Sequence, residues 1–449
     1  MTKLNENTLN KKVRTIAFPA MIGFLFSTLF NVVDNYFAGQ IGTDAISGMT
    51  LAFPVFMLLL SLASGMGNGL NALAAIAIGE NNRQKFHKLF KNSLLIALVF
   101  SVLVPFIAPS IARMIFHLQG ASDEAIHFGL RYIATVMVGF VFFMVNFTLN
   151  GVLYAQGNTK PFRNFLIVAS VLNVILNPLL IHGFLFVPGL DTMGIALATI
   201  IVQALGSVYL LRKVQRSTWG NFKEALNVKI DYQTIKALLY QGIPSSLNTA
   251  TIALGIFVIN YYVQLYGGNE TLAGYGIAIR IEQLALVPTL GINVAVVTLV
   301  GQSFGAKKFD LIYKIWMRST VFGLGIMGLG LIFIFPFAPF LIGFFDQNNE
   351  VIEAGSRYLR IEAIAFLSYV LLNISISMLQ GIKKPVFALW IGLYRQLLPL
   401  GLFYLLGTIL SMGIDGVWWG IVIINWTAVI ITLFYSTVTL SKVSNRYKA

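Results

Sequence analysis

Twelve apolar runs of about twenty residues, almost free of charge, decide what this chain can become. Coiled as helices, runs of that length match the roughly 30 Å hydrocarbon core of a bilayer. Lipid offers no partner to a backbone N–H or C=O, so such runs must satisfy their hydrogen bonds internally, as helices do. The runs lie near 14–38, 48–78, 92–115, 128–154, 162–182 and 192–212, then near 236–264, 272–303, 316–344, 357–380, 386–410 and 415–440. The expected fold is therefore an all-α polytopic membrane protein with twelve transmembrane helices. Only 11% of residues are charged, against about 25% in a soluble domain. The absence of cysteine excludes a disulfide framework and a thiolate metal site. His87, His117, His127 and His182 are scattered without metal-ligand spacing and read as interfacial residues.

The basic residues orient the helices. Lys3, Lys11, Lys12 and Arg14 precede span one, and Arg83, Lys85, Lys88 and Lys91 follow span two. Lys160 and Arg163 follow span four, and Arg212, Lys213, Arg216, Lys223, Lys229 and Lys236 follow span six. Lys307, Lys308 and Lys314, then Lys383 and Lys384, then Lys442, Arg446 and Lys448 continue the alternation. The opposite loops carry Asp44, Asp123, Glu124, Asp191, Glu270, Asp346, Glu350 and Asp415. The positive-inside rule then places both termini in the cytoplasm, with no signal-peptide cleavage region. On this reading the net charge of +14 reports topology and not nucleic-acid binding. Arg113, Arg131, Arg357 and Arg360 fall on the other side, near helix ends where they can snorkel.

The chain also repeats itself at an offset of about 225 residues. Phe18-Pro19 pairs with Ile243-Pro244, Asn35-Tyr36 with Asn260-Tyr261, Gly48 with Gly274, Gly65 with Gly291 and Gly79 with Gly305. Arg131-Tyr132 pairs with Arg357-Tyr358, Gln156-Gly157 with Gln380-Gly381, and Gly194 with Gly420. Six spans per unit leave both units in the same orientation, a parallel pseudo-two-fold repeat whose substrate is expected between lobes near the midplane. The expected organisation is an N-terminal lobe over 1–213, a polar cytoplasmic linker over 214–235 and a C-terminal lobe over 236–449.

One carboxylate stands out. Asp34 sits in the outer part of the first span, beside Asn31 and Asn35. At the centre of a helix such a group costs about 2.5–3.5 kcal/mol to insert, so it marks a wet cavity or a partner. Counting 1.5 Å per residue, Asp34 and Asn177 each lie roughly 8 Å below the outer surface, Thr199 about 10 Å and Asn173 about 14 Å. Asn173 and Asn177 share a helix face, and Pro178 frees backbone carbonyl capacity beside them. Carboxylate, amide, hydroxyl and carbonyl oxygens at one depth suit a hard cation such as Na⁺. Asn173, Asn177 and Thr199 equally suit interhelical hydrogen bonding.

The ordered motifs resemble those of the multidrug and toxic compound extrusion (MATE) transporters over essentially the whole chain. They are Asn31-x-x-Asp34-x-x-x-x-Gly39-x-x-Gly42, Asn173-x-x-x-Asn177-Pro178 and Gly194-x-Ala196-x-Ala198-Thr199 in the first half. Gly301-Gln302-x-x-Gly305-Ala306 and Gln380-Gly381-x-Lys383 carry it in the second. The resemblance implies a secondary antiporter, not an enzyme, exporting bulky and often cationic drugs or toxic metabolites in exchange for inward Na⁺ or H⁺. It also implies a cation held at the positions of Asp34, Asn173, Asn177 and Thr199. The third of these is commonly Asp and is Asn177 here, which leaves one formal negative charge. No further cofactor or metal is expected. The expected setting is the bacterial inner membrane, as a monomer.

In the second half Ile259 matches Asp34, and Ile252 and Tyr369 stand where another branch of the family carries carboxylates. An equivalent acidic site is therefore not expected there. Glu282 and Arg395 lie deep, either as a structural ion pair or with Glu282 facing a cavity to attract cations. Glu282, Tyr369 and Asn31 are the candidate substrate-cavity residues, and Glu362 is expected at the outer interface with Arg360. Gly301-x-Ser303-x-Gly305 fits a nucleophile elbow, but it ends a membrane helix instead of a strand, and its repeat counterpart lacks serine. The absence of a Walker motif excludes direct drive by ATP. A lipid-linked oligosaccharide flippase is the alternative reading; it would need a strongly basic cavity, and few cationic residues lie deep.

Overall fold

The computed structural model describes residues 6–118, 122–184 and 187–448. Lys3 and the side chains of His117, Arg446 and Lys448, all used above, lie outside the described residues. The chain forms helices α1 (Glu6–Ile41), α2 (Thr43–Gly79), α3 (Arg83–Leu118), α4 (Asp123–Val138), α5 (Phe140–Ala155), α6 (Lys160–His182) and α7 (Asp191–Gln215). A two-residue antiparallel pair, β1 (Gly183–Phe184) with β2 (Val187–Pro188), closes the turn between α6 and α7. After a short α8 (Phe222–Asn227) come α9 (Tyr232–Gly305), α10 (Phe309–Gly343), α11 (Asn349–Gly381), α12 (Val386–Tyr404) and α13 (Ile414–Lys448). A π-helical turn, Leu405–Ile409, extends α12.

Two departures from straight helices give the span count. α4 and α5 form one span bent by 51°. The bend falls at Gly139, where a Cβ would lie 2.3 Å from the Ile200 side chain. α9 is 74 residues long, which at 1.5 Å per residue would reach roughly 110 Å, more than three bilayer cores. Gly268, at φ 77 and ψ −167, breaks it into two spans. Counted this way, the described residues hold twelve spans at the places the apolar runs predict.

The internal repeat is written into backbone contacts. A Cβ on Gly48 would lie 2.6 Å from Ala125 O and 2.7 Å from Gly129 N; one on Gly274 would lie 2.6 Å from Val351 O and 2.7 Å from Gly355 N. The same crossing, closed by the same residue type, thus joins α2 to α4 and the second arm of α9 to α11. The turns after the repeated spans match as well. Asn81 and Lys307 have φ 55 and 56, and Gly157 and Lys383 have φ 74 and 63, so at this second turn the equivalent of Gly157 is Lys383, two residues beyond the Gly381 of the sequence pairing.

The chain packs as two compact units, residues 22–247 and residues 1–21 with 248–449. The lobe boundary drawn from the sequence ran through the linker; these units instead divide inside α1 and α9. Each division lies close behind one of the repeated prolines, Pro19 and Pro244, where a backbone donor is missing and the helix is free to change neighbours. In one unit Gly65 of α2 receives Ser246, and in the other Gly291 receives Ala17 and Met21, both too closely for any side chain.

The linker folds onto the basic end of the first unit. Arg83 donates to Thr218 O and lies over Trp219, while Lys91 Nζ donates to the carbonyls of Leu226 and Val228 at 2.6 Å. His87, read as interfacial, is buried beneath it against Trp219 O and Glu224. At the acidic ends, Arg131 pairs with Asp191 and Arg357 with Asp415, so neither arginine merely snorkels.

Candidate ion-coupling site

The site begins with the register between α1 and α6. Ser170 Oγ donates to Phe26 O at 2.9 Å, tying the two helices two turns below Asp34. α6 and α7 approach through Gly194, where a Cβ would lie 2.7 Å from Leu180 O. These contacts bring Asp34, Asn173, Asn177 and Thr199 together in the buried interior of the first unit. Asn173 Nδ2 and Asn177 Nδ2 donate to Asp34 Oδ1 at 2.9 and 3.0 Å, and Thr199 Oγ1 donates to Oδ2 at 3.5 Å. Asn177 Nδ2 also reaches Asn173 Oδ1 at 3.2 Å, while its own Oδ1 is buried and meets no donor among the described residues.

Among the described residues, the hydrogen bonds to this carboxylate come from neutral donors alone: two amides and a hydroxyl. They supply dipoles but no compensating charge, so the site is chemically suited to a monovalent cation or a proton. Tyr132, buried on α4, stands within electrostatic reach of Asp34. Asn31 does not join the cluster; its Nδ2 donates to Ser27 O in its own helix.

The second unit holds a buried acidic cluster of which sequence reasoning named Glu282 and Tyr369 and missed Glu362. Tyr358 Oη donates to Glu282 Oε2 at 2.8 Å, and Tyr369 Oη donates to Glu362 Oε1 at 2.9 Å. Asn425 Nδ2 reaches Tyr369 Oη at 3.3 Å, and Arg395 Nε donates to Asn425 Oδ1 at 2.9 Å. The Arg395 guanidinium lies 5.1 Å from the centre of the Tyr369 ring. Tyr275, Tyr358 and Trp418 pack edge and face with centroids 4.8–5.5 Å apart, walling the side of Glu282 that Tyr358 holds.

Two expectations are corrected here. Glu362 is fully buried instead of sitting at the outer interface, and Arg360 turns to Phe335 O. The cause is helical periodicity: Tyr358, Glu362 and Tyr369 recur at i, i+4 and i+11 on one face of α11, and Arg360 falls off it. Arg395 does not close an ion pair with Glu282; it bonds Asn425 and stacks on Tyr369. The position matching Asp34 holds Ile259, as expected, and the interior acids of the second unit are Glu282, expected deep, and Glu362. The signal available in the sequence was the Arg131-Tyr132 and Arg357-Tyr358 match, which sets a buried tyrosine near a carboxylate in each unit.

The MatE family model matches residues 19–179 and again 244–405, once in each repeat. "Probable multidrug resistance protein NorM" of Thermotoga maritima is 25% identical, with 92% of this chain and 89% of the relative aligned. "Probable multidrug resistance protein YoeA" of Bacillus subtilis is 26% identical over 78% of this chain and 76% of its own length. The "FAD transporter" of Shewanella oneidensis is 23% identical over 87% of this chain and 86% of its own. Among solved structures, that described as "Crystal structure of MATE in complex with MaL6" superposes with a TM-score of 0.90 at 24% identity, covering 97% of both chains. With twelve apolar spans, a six-plus-six repeat and a family match in each half, the chain belongs to the MATE family of multidrug efflux transporters.

Proposed function

We propose that this protein is a secondary antiporter that exports small organic cations or toxic metabolites in exchange for inward Na⁺ or H⁺ bound at Asp34. It works as a monomer in the bacterial cytoplasmic membrane, with both termini inside. The observation that carries the reading is a buried carboxylate whose hydrogen-bond partners among the described residues are all neutral. In the membrane such a group is expensive unless a cation compensates it for part of a cycle. Na⁺ would take the Asp34 carboxylate, Thr199 Oγ1 and the amide oxygens of Asn173 and Asn177, which requires the Asn177 amide to rotate. H⁺ would take the carboxylate alone.

The cargo follows from charge. Among the described residues the buried charged side chains, His87 aside, are acids: Asp34, Glu282 and Glu362. That favours cationic cargo over the phosphate-bearing cargo of a flippase, and over a flavin dinucleotide such as the Shewanella relative is named for. The test is ethidium uptake into proteoliposomes under an imposed Na⁺ gradient and, separately, a pH gradient, with FAD as the competing cargo. Uptake driven by one gradient and abolished by Asp34→Asn is expected. Gradient-independent uptake, or uptake of FAD in place of ethidium, would overturn the reading.

A further inference from the structure

Three buried asparagine oxygens of the first unit meet no donor among the described residues: Asn177 Oδ1, Asn146 Oδ1 and Asn150 Oδ1. All three are acceptors, so what each lacks is a cation or a donated proton and not an anion. They are also in sequence along one line. Thr199, which donates to Asp34, is followed one turn later on α7 by Gln203. Gln203 offers both its backbone carbonyl and its Oε1 to Asn146 Nδ2, at 2.9 and 2.7 Å. One turn further along α5, on the same face, stands Asn150, which hydrogen-bonds Tyr154. α5 ends at Ala155, and Gln156 there bonds Ser217 Oγ and Trp219 N of the linker, at the basic end of the unit.

We infer that Gln203, Asn146 and Asn150 form an inward release path that carries the coupling cation from Asp34 to the cytoplasmic end of the first unit. The inference rests on the antiport reading above. Gln203 and Asn146 are in direct contact, and the steps along a helix, Thr199 to Gln203 and Asn146 to Asn150, each rise about one turn, roughly 6 Å, a distance that one water between side-chain oxygens bridges. Amide oxygens are strong enough to replace hydration and, being uncharged, too weak to trap a monovalent ion, which is what conduction between sites requires. Purely structural asparagines would have their acceptors satisfied inside the helix bundle; here the donors are used and the oxygens are not. The path stays within residues 22–247.

The test uses the full chain in proteoliposomes, with ²²Na⁺ uptake and an internal pH dye as separate ion readouts and ethidium as cargo. Asn146→Leu and Asn150→Leu should slow gradient-driven ethidium transport by at least about tenfold. Ethidium affinity in detergent, where both faces are open, should stay at the wild-type value. Asn150→Ser, which keeps an oxygen, should recover most of the rate. Should a leucine variant fail to fold, Asn150→Asp probes the same point: a fixed charge traps the cation, slowing transport while raising cation affinity in detergent. Wild-type rates in the leucine variants, loss of ethidium affinity in step with rate, or a serine variant as slow as leucine would each overturn the path. If Asp34→Asn also transported normally, the antiport reading would fall instead, so the two failures are told apart.

Discussion

Asn177 turns its amide nitrogen toward Asp34, 3.0 Å from Oδ1, and leaves its own oxygen buried without a donor. The carboxylate is therefore held by donors in this state, and any cation that displaces them must turn the amide over. Asp34→Asn removes the charge while keeping the shape. Ion-driven ethidium efflux is expected to fall by at least about tenfold, with normal insertion and monodispersity. Wild-type efflux from vesicles carrying the variant would sink the assignment.

Asn177→Asp places a second carboxylate on the same cluster. Two such groups about 4–6 Å apart repel one another when both are ionised, and a bound cation or proton relieves that repulsion. Cation affinity should rise at alkaline pH and fall as acidification protonates the pair, giving a steeper pH profile than wild type. Flat profiles for both transport and ²²Na⁺ binding would mean that the Asn177 side chain leaves Asp34 during turnover.

Glu282 and Glu362 test the second unit. Glu282→Gln keeps an acceptor for Tyr358 and should weaken ethidium binding by about tenfold without removing the response to an ion gradient. Tryptophan quenching titrations in detergent read the affinity. Loss of the ion response in a folded Glu282→Gln protein, with Asp34 intact, would move coupling into the acidic cluster of residues 248–449.

The matched glycine crossings predict matched penalties. Gly48→Ala and Gly274→Ala each force a Cβ against a carbonyl oxygen 2.6 Å away, and each should cost about 1–3 kcal/mol. Thermal unfolding of the two variants in one detergent checks this. A large loss for one and none for the other would break the structural equivalence of the repeats.

A pH effect is expected outside the membrane. Asp231 leads into α9, where its carboxylate takes Thr234 Oγ1 at 2.5 Å and Thr234 N at 3.2 Å. The Thr234 hydroxyl bond holds its titration below the usual carboxylate range. A lowered folded value means that the cap stabilises fully above the ordinary carboxylate pKa and is lost as pH falls through the folded one. The wild-type advantage over Asp231→Asn should thus be constant near neutrality and vanish in acid; an advantage that grows on acidification would contradict the sign.

The twelve spans were legible because bilayer length and apolarity are read from composition in a window, and the three residues around Asp34 because similar depth limits which spans can share a site. The second cluster was not. Depth alone set Glu362 near an interface, and only the face it shares with Tyr358 and Tyr369 shows that it points inward. The division of the packing units was hidden for another reason: hydropathy does not record which neighbour a helical turn chooses, and the repeated prolines gave only the place.

That choice of neighbour has a consequence for how the protein is made. The glycine contact prepared at Gly65 cannot close until Ser246 has left the ribosome, and the opening turns of α1 have no Gly291 to meet until the first two spans of the second half are synthesised. The earliest residues therefore wait through the whole first repeat for their partners. Chains interrupted between the repeats would leave each fragment holding a segment that the other requires, so assembly waits on contacts distant in sequence.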